Sequence, residues 1–393
     1  MQKKLIALAI AGLSSAAFAQ SNVTIYGVMD ASFESVSATG ATAANSDYGS
    51  RARVTSNSSY IGFKGSEGLG NGLAVAWQIE NGLYADNAGT SAWNNRDTYI
   101  GLAGGFGTVA MGNVTGPTRA LGAKFDVNDG ATGIGANSGL LGKGALFGSG
   151  ASAFDQRITN AIAYISPNLS GFSGVLGYST GLSSAFNAIN GTVPSGRESS
   201  AAGSVRGNTA WTLGLNYEGG PIYVGYAYTV VNTTNSGVAA ADGLLGAFQK
   251  AKDNRAGVQY NFGQGTIGLL WDRPTYTTSG ANGVDLTTNI YFIPVVFNVG
   301  SGKIFGQYGH AGTVSNTAGN NASKMFEIGY QYNLSKRTSV RALYSVISND
   351  AAASNDFLYG VSSGGNSTAT GSAAGVSAGV DPKGVAFAVR HTF

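Results

Sequence analysis

VTIYGVMDASFE, residues 23 to 34, decides the fold. Along an extended chain Val23, Ile25, Gly27, Met29, Ala31 and Phe33 fall on one side, and Thr24, Tyr26, Val28, Asp30, Ser32 and Glu34 on the other. Such alternation marks a strand with two unlike faces, one suited to hydrocarbon and one to water. SSYIGFKG repeats it, with Ile61 and Phe63 opposing Tyr60, Gly62 and Lys64, as does LAVAWQIE, with Leu73, Val75, Trp77 and Ile79 opposing Ala74, Ala76, Gln78 and Glu80. Later runs continue it: Ile222, Val224, Tyr226 and Tyr228; Ile267, Leu269 and Trp271; Thr338, Val340, Ala342, Tyr344 and Val346.

The connections alternate in length. Short turns rich in Gly, Asn and Pro occur at SEGLGNG, AGGFG, SPNLSG, EGGP, FGQG, NVGSG and NLSKR, while the segments 37 to 50, 84 to 95, 115 to 156, 182 to 207, 232 to 250, 275 to 286, 313 to 323 and 349 to 382 are long. Seven short turns interleaved with eight long loops connect sixteen strands. The pattern predicts an all-β, transmembrane, antiparallel up-and-down barrel with short periplasmic turns and long extracellular loops. Closure follows from the solvent, because an unpaired backbone amide or carbonyl in hydrocarbon costs several kcal/mol and only a sheet without edges avoids that cost. A soluble β-sandwich would need a more charged exterior than a chain with 11% charged residues supplies, where about 25% is usual. A barrel of sixteen strands is too wide for wall side chains to fill, so it encloses an aqueous channel.

Other bulk features agree. MQKKLIALAIAGLSSAAFA has two lysines, an apolar run from Leu5 to Leu13, and small residues ending at Ala17-Phe18-Ala19. That order predicts a secretory leader over residues 1–19 and a mature barrel over 20–393. The apolar run is short of the roughly 20 residues a helical span needs. Losing Lys3 and Lys4 lowers the formal charge from +3 to +1, which offers nucleic acid no general attraction. Cysteine is absent.

One connection stands out. Residues 116 to 156, from PTRALGAKFDVNDG to GIGANSGLLGKGALFGSGASAFDQ, are too long for a turn, and an insertion of that length in a compact fold is functional or disordered. Following the fifth strand, it is expected to fold inward and narrow the lumen. Its acids are Asp126, Asp129 and Asp155, set among Arg119, Lys124 and Lys143. Asp126 and Asp129 are the favoured constriction acids, with solvated loop carboxylates as the alternative. Lys64, Arg341 and Arg390 fall on predicted lumen faces, and Arg157 shares its parity with Thr159, Ala161 and Ala163. Arg96 and Arg53 share parity with apolar residues, Ile100 and Leu102 for one, Ile61 and Phe63 for the other. Arg96 therefore needs a bulge or a place above the membrane, and TSNSS could supply a bulge for Arg53.

The chain resembles the general porins of Gram-negative bacteria, of the neisserial and betaproteobacterial type. The resemblance is carried in order by VTIYGVMD (23 to 30), NSSYIGFKGSEGLGNGLAVAWQIE (57 to 80), RDTYIGLAGGFGTVAMG (96 to 112), ITNAIAYISPNLSGFSG (158 to 174), LSKR (334 to 337) and AVRHTF (388 to 393). It implies an outer-membrane homotrimer for passive diffusion of ions and small hydrophilic solutes, with the third long loop at the constriction. It also implies loop acids set against wall arginines, for which Arg53, Arg96 and Arg157 are the matched positions, and recognition of Phe393 by the outer-membrane assembly machinery. Two departures weaken the basic side: Tyr60 stands where similar porins often have Arg, and Asn113 where a Gly-Arg pair commonly ends the fifth strand. The basic wall residues lead us to expect a slight preference for anions.

Rival functions find less support. Only His310 and His391 exist, without a Ser or Asp arrangement that spacing singles out, and neither clustered His nor a phosphate-binding GxxxxGK[ST] motif occurs. An enzyme is not expected, nor a cofactor or metal. A channel specific for a sugar or organic acid remains the nearer alternative, although most tyrosines fall at strand ends or on lipid faces. The long loops, rich in Ser, Gly, Ala and Asn, are poor in the aromatics of a binding hot spot.

Overall fold

A computed structural model of the chain describes residues 22–43, 46–86, 96–143, 152–180, 209–232, 248–278, 282–361 and 376–393. The expected leader, residues 1–19, lies outside them. Eighteen extended segments among the described residues make sixteen antiparallel staves. The first eight are β1 Asn22–Thr39, β2 in two segments Tyr48–Ser56 and Tyr60–Gly70, β3 Leu73–Gly82, β4 Thr98–Gly104, β5 Gly107–Thr115, β6 Arg157–Ile165, β7 Phe172–Ser179 and β8 Thr209–Gly219. The rest are β9 Ile222–Asn232, β10 Phe248–Asn261, β11 Gly265–Thr278, β12 in two segments Asp285–Thr287 and Ile290–Val299, β13 Gly302–Ala311, β14 Ser323–Asn333, β15 Thr338–Asn349 and β16 Asp381–Thr392.

Each stave pairs with the next, and β1 closes the cylinder by pairing from Val28 to Thr39 with β16 from Thr392 to Asp381. Beyond that register Gly27 and Phe393 exchange both backbone hydrogen bonds, at 3.0 and 3.1 Å, so the last residue completes the seam. The seven short turns lie where the sequence places them, and Gly70, Gly107, Gly220 and Gly300 take positive φ there, a conformation glycine adopts without steric cost.

The alternation maps onto two environments. Ile25, Phe33, Ile100, Leu102, Met111, Leu176, Leu269, Phe326 and Phe387 are exposed on the outside, where the bilayer would cover them, while Asp30, Ser32, Glu34, Glu327 and Arg341 are buried within. The break in β2 shifts facing by one residue: Arg53 and Thr55 point inward before it, Tyr60, Gly62 and Lys64 after it. Ser58, at φ 54°, makes the shift.

The hydrophobic core lies inside the barrel. The connection after β5 turns inward as a short helix, α1 (Pro117–Lys124), with Pro117 at its first turn where a missing N–H costs nothing. Inward glycines of successive staves make room for it: Gly214 faces Pro117, Gly225 faces Leu121, and Gly257 and Gly268 face the Phe125 ring. Further along, Ile134, Leu140 and Leu141 pack with Leu270, Phe292, Phe305, Met325 and Ile347 of β11 to β15. Those staves are apolar outward for lipid, and inward they present apolar side chains to the loop among buried polar ones such as Asp272, Gln307 and Glu327. Elsewhere on the wall the inward charges Arg96, Asp97, Arg157 and Arg390 stay partly exposed.

A charge placed on the outer face tests this arrangement. Phe387→Arg, at the centre of β16, should lower stability by about 2–4 kcal/mol in reversible unfolding from lipid bilayers, while Phe387→Leu should unfold close to the parent.

Candidate functional site

Along the wall of β1 to β6 the charges come in linked pairs. Arg96 Nε lies 3.3 Å from Glu80 Oε2, and the other Glu80 oxygen accepts the Tyr26 hydroxyl at 2.8 Å and the Gln78 amide at 3.2 Å. The Arg96 guanidinium also stacks over the Tyr60 ring, 4.4 Å from its centroid, and the Lys64 ammonium sits 4.9 Å from that of Tyr26. Arg157 Nε lies 3.2 Å from Asp97, which also accepts the Thr115 hydroxyl at 2.9 Å. Asn113 donates to the Arg96 carbonyl at 2.8 Å. Both departures noted in the sequence thus act on Arg96: Tyr60 supplies a ring for its cation and Asn113 fixes its backbone.

Arg119 approaches from the first turns of α1 and donates to the Asp155 carbonyl. Burial makes its guanidinium easier to deprotonate than usual; Asp155 opposes this, and the neighbouring Arg96 charge adds to it. On the other flank Asp30 is chelated by Arg341 at 2.8 and 2.9 Å and also accepts from Arg390 at 3.0 Å. Asp30 and Arg341 are buried, whereas Arg390, like Arg96 and Arg157, keeps a sixth or so of its side chain exposed.

The loop acids take a different part from the one expected at the constriction. Asp126, 2% exposed, folds the loop on itself by accepting the backbone N–H of Asn128 at 2.8 Å and of Asn137 at 2.7 Å. Asp129 binds Lys303 at 3.0 Å and Gln331 at 2.9 Å on the far wall. Burial alone would raise its pKa, but Lys303 and Gln331 outweigh it and hold the carboxyl well below the usual range. Asp155 pairs at 2.8 Å with Arg255, which is wholly buried. A carboxylate on a loop packed to interior density needs donors from that loop or the wall beneath. The acids that accompany the passage arginines are instead the wall residues Glu80 and Asp97. Glu80 was legible as inward from the alternation; Asp97, just before β4, carried no periodic signal.

Arg53, matched by resemblance to the basic wall, is 7% exposed and occupied elsewhere. It binds Glu34 at 2.8 Å, and its other nitrogens donate to the carbonyls of Tyr359 and Gly360 at 2.8 and 2.7 Å. The connection after β15 is thereby drawn inward, and the Tyr359 hydroxyl meets Thr132 of the inward loop at 3.0 Å and Ser58 of the β2 break at 3.2 Å. Beneath that turn, burial pushes the Asp356 carboxyl up to about 6, against the N–H groups of Phe357 and Val361 and the Lys143 charge. Burial likewise brings the Lys143 ammonium down to about 8, opposed by Asp356 and Asp155.

Among the described residues no group of three or more His, Cys, Asp or Glu could hold a metal ion. What the geometry offers is three partly exposed guanidinium groups, Arg96, Arg157 and Arg390, inside the barrel; charges that line a narrow passage with low-dielectric walls concentrate ions of opposite sign.

The profile of the Gram-negative porin family matches residues 5–352. The chain is 29% identical over 397 residues to outer membrane porin protein 32 of Delftia acidovorans, with the whole of both chains covered. Among solved structures it is similar to an anion-selective porin from Comamonas acidovorans, with a TM-score of 0.72 at 27% identity, covering 95% of this chain and 100% of that one. It also resembles in fold the OmpT outer membrane protein of Vibrio cholerae in its trimer form, with a TM-score of 0.62 at 14% identity, covering 95% and 99%.

Since Asp126 and Asp129 are bonded within the loop and to the far wall, Asp126→Asn and Asp129→Asn should leave the zero-current potential in a salt gradient where the parent has it. The cost should appear as easier unfolding, since a hydrogen bond to a charged group contributes about 1.5–3 kcal/mol.

Proposed function

The chain belongs to the Gram-negative porin family, and from that premise we propose an outer-membrane diffusion channel whose passage favours small anions. The observation that carries this is the imbalance at the narrowed wall. Arg96, Arg157 and Arg390 keep part of their side chains exposed and Arg119 stands beside Asp155, whereas Glu80 is buried and only Asp97 is a partly exposed acid; the one carboxylate facing Arg390, Asp30, is buried and shared with Arg341. The roles run as follows: Arg96 and Arg157 draw the anion along the wall, Arg119 does so from the loop, and Lys64 extends the positive track below them. Arg53 acts through the turn it holds, Asp126 and Asp129 by shaping and seating the loop, and Asp155 through Arg255. The solved anion-selective porin supports the reading, as that property is stated of a protein similar over its whole length.

Residues 1–19 are, on this reading, a leader that directs export, and Phe393 is read by the assembly machinery as well as closing the seam. The trimeric state of a fold neighbour supports a homotrimer. No catalytic role or cofactor is assigned.

Two measurements check the proposal. In planar bilayers under a potassium chloride gradient, the zero-current potential should take the sign of chloride permeation; Glu80→Gln should move it further that way and Arg157→Gln back, and a cation-selective parent would refute the reading. In unheated detergent samples the protein should migrate as a trimer and collapse to a single chain on boiling.

A further inference from the structure

Among the described residues Arg255 of β10 is the largest side chain with no exposure at all. Its contacts are spread along the inward loop. Nη1 donates to the Thr118 carbonyl at 3.0 Å, where the loop has just left β5, and to Asp155 Oδ1 at 2.8 Å, where the loop is about to enter β6. Nε donates to Asp272 Oδ1 at 2.8 Å on the adjoining stave. The second Asp272 oxygen accepts the Gly142 N–H at 2.6 Å, and the Tyr276 hydroxyl donates to the Gly142 carbonyl at 2.6 Å. One guanidinium and its acid therefore hold the outgoing limb, the returning limb and a point between them to a wall four staves beyond β6.

The loop is built to receive this group. Ser152 accepts the N–H groups of Phe154 and Asp155, starting a 3-10 turn, and its hydroxyl donates to Asp155 Oδ2 at 3.1 Å, aiming the carboxylate at Arg255. Gly122 on α1 lets the guanidinium pass: a Cβ there would stand 2.5 Å from Nη1 and 3.3 Å from Asp155 Oδ1. The other supports of the outgoing limb are mainly apolar, Pro117, Leu121 and Phe125 on inward glycines. Apolar contact is non-directional and tolerates sliding. A planar fork of fixed donors does not.

We propose that Arg255 is the positioning residue of the channel, a latch that holds both limbs of the inward loop against the far wall and so keeps the passage open. The proposal rests on the passage lying between that loop and the arginine wall. Arg255 also lies 3.5 Å from the wholly buried Asp253, so without the guanidinium Asp155, Asp253 and Asp272 would be buried acids short of a cation, and such groups seek water. The limb that carries Asp155 then leaves the wall for the lumen, towards Arg119 and Arg157, obstructing the path and cancelling part of its positive charge.

The test uses the full-length trimer in planar bilayers. Arg255→Met is expected to replace the single open level by several lower sub-levels with rapid transitions, and to shift the zero-current potential towards cations. Arg255→Lys should restore the behaviour only in part, because an ammonium is a point charge that does not reproduce the fork. Gly122→Ala displaces the guanidinium while keeping every charge, so it decides the matter if Arg255→Met does not assemble, and it should show the same sub-levels. A single level and unchanged potential in Gly122→Ala, or in an assembled Arg255→Met, overturns the latch. The underlying reading is tested apart. Ala123 is exposed on α1 and the chain has no cysteine, so an anionic thiol reagent on Ala123→Cys should reduce the current, and an unaffected current would mean that the loop does not border the passage.

Discussion

Within a bilayer a backbone amide has no water to bond, and this single constraint orders the rest of the structure. A sheet can satisfy every amide only by meeting itself, and here the meeting is made by β1 and β16 and finished by the paired bonds of Gly27 and Phe393. Once the cylinder is closed, the side chains divide by parity, and a barrel of this circumference holds more space than its own wall residues can fill. The inward loop is the consequence of that space. It packs on staves that present glycines and apolar side chains, with buried charges among them, while Arg96, Asp97 and Arg157 elsewhere on the wall stay partly exposed.

A core inside a pore has its own logic. Leu140, Leu141 and Phe125 have no exposure at all and pack against staves whose other faces carry lipid-facing residues. The loop backbone and its charges consequently lie at low dielectric, where every polar group needs a partner. Glu327 receives Asn128 and Gln307, Asp129 receives Lys303, and Asp155 receives Arg255. Carboxylates held in this way stiffen the loop. Asp129 and Asp155 contribute little field to the passage, because each has a cation within hydrogen-bonding distance.

The field comes from the uncovered wall. Arg96 and Arg157 each carry one acid, and the Tyr60 ring supports Arg96 as well. Holding cations at fixed positions by stacking and by single-sided pairing keeps part of each guanidinium available to a passing ion. Full chelation, as at Asp30 with Arg341, would not.

The architecture was legible in the sequence because a strand between lipid and water must alternate, and because short turns and long loops must alternate when a chain goes up and down. The doubly apolar run IYFIPVVF of β12 also held a readable signal: a stretch apolar on both faces has something other than water on its inner side. What no spacing showed was which partners the charges would find. Arg53 and Arg157 look alike in the chain, yet a one-residue shift at Ser58 turns the first towards the backbone of a turn some 300 positions away, while the second stays beside the water. Parity is a local property, fixed by backbone geometry residue by residue. Charge pairing depends on which segments share the lumen, and only the closed barrel, with its loop folded in, decides that.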